Sequence, residues 1–171
     1  MSPELPYDAA AIISALQKHG VRFVVIGGVA AVAQGSPLPT EDMDVTPDRD
    51  PDNLEALAAA LRELDAKLRT EKGPVEFPID PGMLGGNEMW TLTTRAGDLD
   101  LVFEPPGTTG YDDLRRYALE LDLGSGGPAL VAALSDVIRS KEAGGRPKDL
   151  AQLPALRQTL EVIRRSEAER R

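Results

Sequence analysis

The feature that most constrains this chain is a short span that runs from the apolar Val24-Val25-Ile26, through Gly27-Gly28, to Asp42-Met43-Asp44-Val45. A β-branched run that stops at two glycines reads as a buried strand turning sharply into a helix, here the small-residue segment Val29-Ala30-Ala31-Val32-Ala33. Gly35-Ser36-Pro37-Leu38-Pro39-Thr40 is then forced into a loop by its glycine and two prolines. A second strand follows, and because side chains alternate across a strand, Asp42 and Asp44 must share one face. Carboxylates that close repel each other unless a cation sits between them. A divalent metal is the usual solution, since hard cations take oxygen ligands. The glycines offer the other half of a site, a backbone able to approach a phosphate and helix-start amides to bind it.

Three rival readings fail on spacing. A dinucleotide-binding turn needs Gly-x-Gly-x-x-Gly, and a phosphate loop of the Walker kind needs Gly-Lys-Ser/Thr; neither occurs. The acids at 48–52 suggest a calcium loop, but that loop would require glycine at Asn53 and glutamate at Ala59. Asp50 is better read as an N-cap, with Pro51 at the first helical position and a helix to about residue 68. Its buried stripe is Leu54, Leu57, Ala58, Leu61, Leu64 and Leu68.

Around that centre the pattern predicts a helix over 8–19, with Asp8 as cap and His19 structural, then a first strand over 21–26 in the sheet interior. Residues 69–89 are broken by glycines and prolines and read as a loop-rich connection lining a cleft, with a short edge strand over 75–79. A hairpin follows, 90–94 and 98–103 about Gly97. Asp98 and Asp100 share a face; Asp98 beside the turn reads as solvated, whereas Asp100 lies deeper among apolar residues. Beyond it come a short helix over 111–118, a strand over 119–123 and a helix over 129–143. Lys141 continues the apolar stripe of that last helix, so it either snorkels to solvent or reaches into a pocket to meet an anion. One or two helices complete the chain.

Composition bounds the chemistry. There is no cysteine and a single histidine, His19, so disulfides and thiolate metal sites are excluded and zinc is a poor fit. The net charge is −9, unevenly spread: residues 1–135 carry 10 Lys and Arg against 22 Asp and Glu, residues 136–171 carry 9 against 6. An acidic body with a basic end can still bind a polyanion locally. Residues 1–5 have no basic, apolar leader character and no run is long enough to span a bilayer, so a cytoplasmic protein without membrane contact is expected.

Ile26-Gly27-Gly28 followed by Asp42-Met43-Asp44-Val45 resembles the signature of the polymerase-beta-like nucleotidyltransferases, and in spacing the minimal bacterial members and AbiEii/MenT-type toxins. Lys141-Glu142-Ala143-Gly144-Gly145-Arg146-Pro147-Lys148-Asp149 resembles the Lys…Arg-x-Lys-Asp segment of the AbiEii-type group. The resemblance implies an α/β (α+β) nucleotidyltransferase fold, a central mixed sheet flanked by helices. Residues 1–150 would form the domain and 151–171 its helical C-terminal extension. By the same carry-over, Asp42, Asp44 and Asp100 would hold one or two Mg²⁺ ions. Gly27, Gly28 and Ser36 would bind the triphosphate of an NTP substrate, and Lys141 would meet its phosphates, with Arg146, Lys148 and Asp149 in support. Relatives often carry an arginine near Leu38, and this chain does not. The implied activity is transfer of a nucleoside monophosphate to a hydroxyl acceptor. RNA, such as a tRNA 3′ end, is favoured by the basic segment, with a cognate antitoxin as partner. A small molecule such as an antibiotic, a partner protein, or a non-catalytic nucleotide-binding or antitoxin-like module are the alternatives.

Overall fold

A run of fully buried aliphatic residues on one side of a mixed sheet organises the computed structural model, which describes residues 7–171. Residues 1–5, read above for a leader segment, lie outside the described residues. The chain forms α1 (Ala9–Lys18), β1 (Phe23–Ile26), α2 (Gly27–Ala33), β2 (Asp42–Pro47) and α3 (Pro51–Glu63). Next come β3 (Lys67–Thr70), β4 (Gly73–Val75), α4 (Pro81–Gly85), β5 (Met89–Thr94) and β6 (Gly97–Val102). The last part holds α5 (Tyr111–Arg115), β7 (Leu119–Asp122), β8 (Pro128–Val131), α6 (Leu134–Gly144) and α7 (Pro147–Glu169). The eight strands form one sheet in the order β4-β3-β5-β6-β2-β1-β8-β7. Pairing is antiparallel except β2 with β6 and β1 with β8, which are parallel. The expected α/β architecture with a central mixed sheet is therefore present, and β1 sits in its interior.

Met43 and Val45 of β2 and Leu99 and Leu101 of β6 are fully buried on the face against which α1 packs, with α3 packed beside α1. Alternation then sends Asp42, Asp44, Asp98 and Asp100 to the opposite face. Asn53 ties α3 to the sheet: its Oδ1 accepts from the Arg22 amide at 2.7 Å, and its Nδ2 donates to the carbonyls of Arg22 and Asp48.

Two elements differ from the sequence reading. The helix expected to run to residue 68 stops at Glu63, because Asp65 takes a left-handed conformation (φ 51°) and Leu68 enters β3 instead. Aspartate tolerates that region, so no glycine marks the stop. The helix expected over 129–143 begins only at Leu134, since 128–131 is a strand pairing with both β7 and β1. The segment 69–89 is more ordered than expected, holding β4 and α4, with the edge strand at 73–75 rather than 75–79. α7 is one continuous helix of 23 residues, with Leu153 and Leu156 buried. Among the described residues no helix is long and apolar enough to cross a membrane.

Leu99 is the residue between the two acids of β6, and its burial sets their direction. Leu99→Ala should destabilise the protein by about 2–5 kcal/mol in urea unfolding; a loss below about 1 kcal/mol would mean that this face is not the packed core.

Candidate active site

The parallel pairing of β2 and β6 sets Asp42 opposite Asp98 and Asp44 opposite Asp100. Four carboxylates thus occupy a two-by-two grid on the open face. Oxygens from Asp42, Asp44 and Asp100 all lie within 4.8 Å of one another. On the other flank of β2, Ile26 is the register partner of Asp44, so Gly27 passes directly beside the carboxylate. Gly27 has φ +65°, and a Cβ there would collide with the Asp44 carboxylate. A Cβ on Gly28 would meet Thr40 Oγ1 at 2.7 Å. The glycine pair is thus required by the closeness of the acids and of the loop that follows α2.

Above the grid opens a cleft of about 730 Å³. Gly27, Gly28 and the acids form its floor, and α6 with the start of α7 forms a wall carrying Lys141, Arg146, Lys148 and Asp149. Two devices hold that wall. Gln34, at the end of α2, donates to the Ala132 carbonyl at 2.8 Å and accepts from the Leu134 amide at 2.9 Å, so it caps α6 where Ala133 has no side chain to do so. Gly145, at φ +64°, ends α6, and Pro147 opens α7 two residues later. That corner brings Lys141 Nζ to 3.6 Å from Asp149 Oδ1, while Arg146 Nε donates to Asp149 Oδ2 at 2.9 Å.

Burial, and then the charges of Asp42 and Asp100, push the Asp44 carboxyl up to about 7; Lys141 pulls it the other way. Asp100 is also raised, by burial first, although Arg69 opposes the shift. Asp149 goes down: burial works against its charge, and Arg146 and Lys141 outweigh it. The grid is therefore a cluster of acids whose charge lacks a full counterweight, whereas on the wall Asp149 is paired with Arg146 and Lys141.

Most of the expected residues meet here: Asp42, Asp44, Asp100, Gly27, Gly28, Lys141, Arg146, Lys148 and Asp149 all line the one cleft. Ser36 does not. It is only 7% exposed and its hydroxyl accepts from the Leu38 amide, closing its own loop; Thr40 faces the cleft instead. Asp98 is not a free turn residue, because it lines the cleft, 3.4 Å from Arg69. Arg69 and Gln34 were invisible to sequence reasoning. Arg69 fell inside a stretch read as loop, and a lone glutamine after a helix carries no pattern.

No known protein family matches this chain, and no curated protein matches it. Solved structures do. A protein from Thermotoga maritima assigned as a nucleotidyltransferase superposes with a TM-score of 0.55 at 17% identity, over 88% of each chain. The antibiotic-resistance factor ANT(2'')-Ia superposes with a TM-score of 0.53 at 15% identity, over 94% of this chain and 89% of its own. At such identities the likeness is one of fold, and it places this chain in the nucleotidyltransferase fold.

The raised Asp44 gives a stability signature for metal-free protein. From the ordinary carboxylate range up to about 7, the folded state keeps a proton that the unfolded chain releases, so this group lowers stability as pH rises through that window. Asp44→Asn should remove the penalty and stabilise the metal-stripped protein by about 1–3 kcal/mol near pH 8, with a smaller gain at lower pH. Urea unfolding of both proteins checks this; a wild-type advantage that grows with pH would contradict it.

Proposed function

We propose that this protein is a divalent-metal-dependent nucleotidyltransferase that moves a nucleoside monophosphate from an NTP to a hydroxyl acceptor. The observation that carries the reading is the approach of Asp42, Asp44 and Asp100 to within 4.8 Å, beside Gly27 and facing Lys141 across one cleft. The donor set is all carboxylate oxygen, which suits Mg²⁺, and the mutual repulsion at Asp44 is what a cation would relieve. Asp42, Asp44 and Asp100 would hold one or two such ions. When bound, the metal would neutralise phosphate charge and acidify the attacking hydroxyl.

The remaining work falls to the chain's own groups. Gly27 and Gly28 let Asp44 and Thr40 close in on the turn, and their backbone would meet the triphosphate at the cleft floor. Lys141, steadied by Asp149, meets the charge that grows on the departing pyrophosphate. Arg146 and Lys148 add positive field at the rim. The acceptor oxygen bonds to the α-phosphorus as the α–β phosphoanhydride bond breaks, and Asp100 takes the hydroxyl proton through the oxygen it keeps free of Arg69.

We infer an RNA acceptor and an AbiEii/MenT-like role beside a protein antitoxin, in the cytoplasm, because the cations at the rim, Arg146 and Lys148, sit where a polyanion would pass. A second reading has its own support. Glu41, Asp42 and Asp98 line the cleft as well, which suits a cationic small molecule, and one structural neighbour is an antibiotic-resistance factor.

Incubation with each labelled NTP and Mg²⁺, first with total RNA and then with a panel of aminoglycosides, separates the acceptors. RNA labelling should fall steeply with salt. The variant with both Asp42→Ala and Asp44→Ala should keep its circular dichroism spectrum and lose all labelling; labelling equal to wild type would overturn the proposal.

A further inference from the structure

Arg69 lies two strands from β6, yet its side chain crosses β5 to reach the acids. Nη1 donates to the Leu92 carbonyl at 3.0 Å, which anchors the guanidinium over the intervening strand. Nη2 donates to Asp100 Oδ1 at 2.6 Å, and Nη1 stands 3.4 Å from Asp98 Oδ2. The second oxygen of Asp98 is also engaged, accepting from Thr93 Oγ1 at 3.2 Å. Among the described residues, Arg69 is the one cation that touches the carboxylate grid; Lys141 and Arg146 of the α6–α7 wall pair with Asp149 instead.

We propose that Arg69 is a positioning residue: it clamps the two acids of β6, fixes which oxygen of Asp100 faces the cleft, and withholds Asp98 from metal binding. The inference rests on the metal-dependent reading above and deepens it. Asp98 and Asp100 are equivalent by register, each opposite an acid of β2. Register alone therefore gives no reason why one should ligate a metal and the other not, and the deeper burial of Asp100 does not by itself hold Asp98 back. The ion pairs supply the reason. Asp98 has both oxygens engaged, by Arg69 and Thr93, whereas Asp100 gives only Oδ1 to Arg69. Orientation follows as well, since a carboxylate tied at one oxygen cannot swing freely between rotamers. A planar fork with several donors can serve Leu92, Asp98 and Asp100 together, which a lysine ammonium does less well.

A positioning cation has a signature that general structural damage lacks. Arg69→Gln removes a positive charge next to the metal site, so Mn²⁺ should bind about tenfold tighter, read by electron paramagnetic resonance of the free ion. The same variant should lose about 10–100-fold in kcat, because Asp100 is no longer oriented, while KM for the NTP stays within about threefold. Arg69→Lys should recover part of the rate. Adding Asp98→Asn to Arg69→Gln removes one negative charge with the positive one, so Mn²⁺ affinity should return toward wild type while the rate stays low. Should Arg69→Gln fail to fold, Arg69→Lys carries the test, with slower turnover and Mn²⁺ affinity no weaker than wild type. Mn²⁺ binding and rate that weaken together, or an unchanged rate in Arg69→Gln, would overturn the proposal. A wild-type protein that neither binds Mn²⁺ nor transfers nucleotide would instead overturn the enzymatic reading itself.

Discussion

Mutual repulsion among Asp42, Asp44 and Asp100 is the constraint on which the rest of the structure depends. Nothing local favours three carboxylates gathered within 4.8 Å. They are held there by the other side of the same two strands, where Met43, Val45, Leu99 and Leu101 are fully buried. Strand alternation links the two faces, so the apolar side cannot pack without delivering the acids to the cleft. A cluster that costs stability and persists because its surroundings over-determine it is a common mark of a functional site.

The second half of the cleft is tied to the first through the sheet and through α2. α6 is capped by Gln34, which reaches across from α2, the helix that the glycine pair begins. The two halves are therefore joined through α2: its first residue lies against Asp44, and the residue that ends it fixes the start of the helix carrying Lys141. Any shift in the Gly27 turn would be felt both at the carboxylate cluster and at the lysine. Arg69 plays the corresponding part on the far side of the grid, where β3 and β5 support β6.

The centre of this arrangement was legible in the sequence because it rests on short-range rules. Period-2 alternation paired Asp42 with Asp44 and Asp98 with Asp100, depth among apolar residues favoured Asp100 over Asp98, and Gly27-Gly28 declared a strand-to-helix turn. Lys141 followed from helical spacing and from the resemblance of the segment after it. What was not legible depended on distant partners. The stop after Glu63 is made by an aspartate in the left-handed region, so the leucine spacing ran on to Leu68 and hid β3, and with it Arg69. Residues 128–131 are too short and apolar to be told from the helix they precede until β7 and β1 flank them. Ser36 was misplaced for a related reason, since a hydroxyl in a proline loop can cap its own turn as readily as face a ligand.

The likeness in fold to a Thermotoga maritima protein and to an antibiotic-resistance factor is consistent with this account, yet at 17% and 15% identity the chemistry has to be argued from the site. The most direct test is a crystal structure of the protein soaked with Mn²⁺ and a non-hydrolysable NTP, with anomalous scattering used to locate the metal. The account predicts manganese between Asp42, Asp44 and Asp100, the α-phosphate beside it, and the outer phosphates directed toward Lys141. Manganese absent from that position, or a triphosphate bound away from the Gly27 turn, would contradict it.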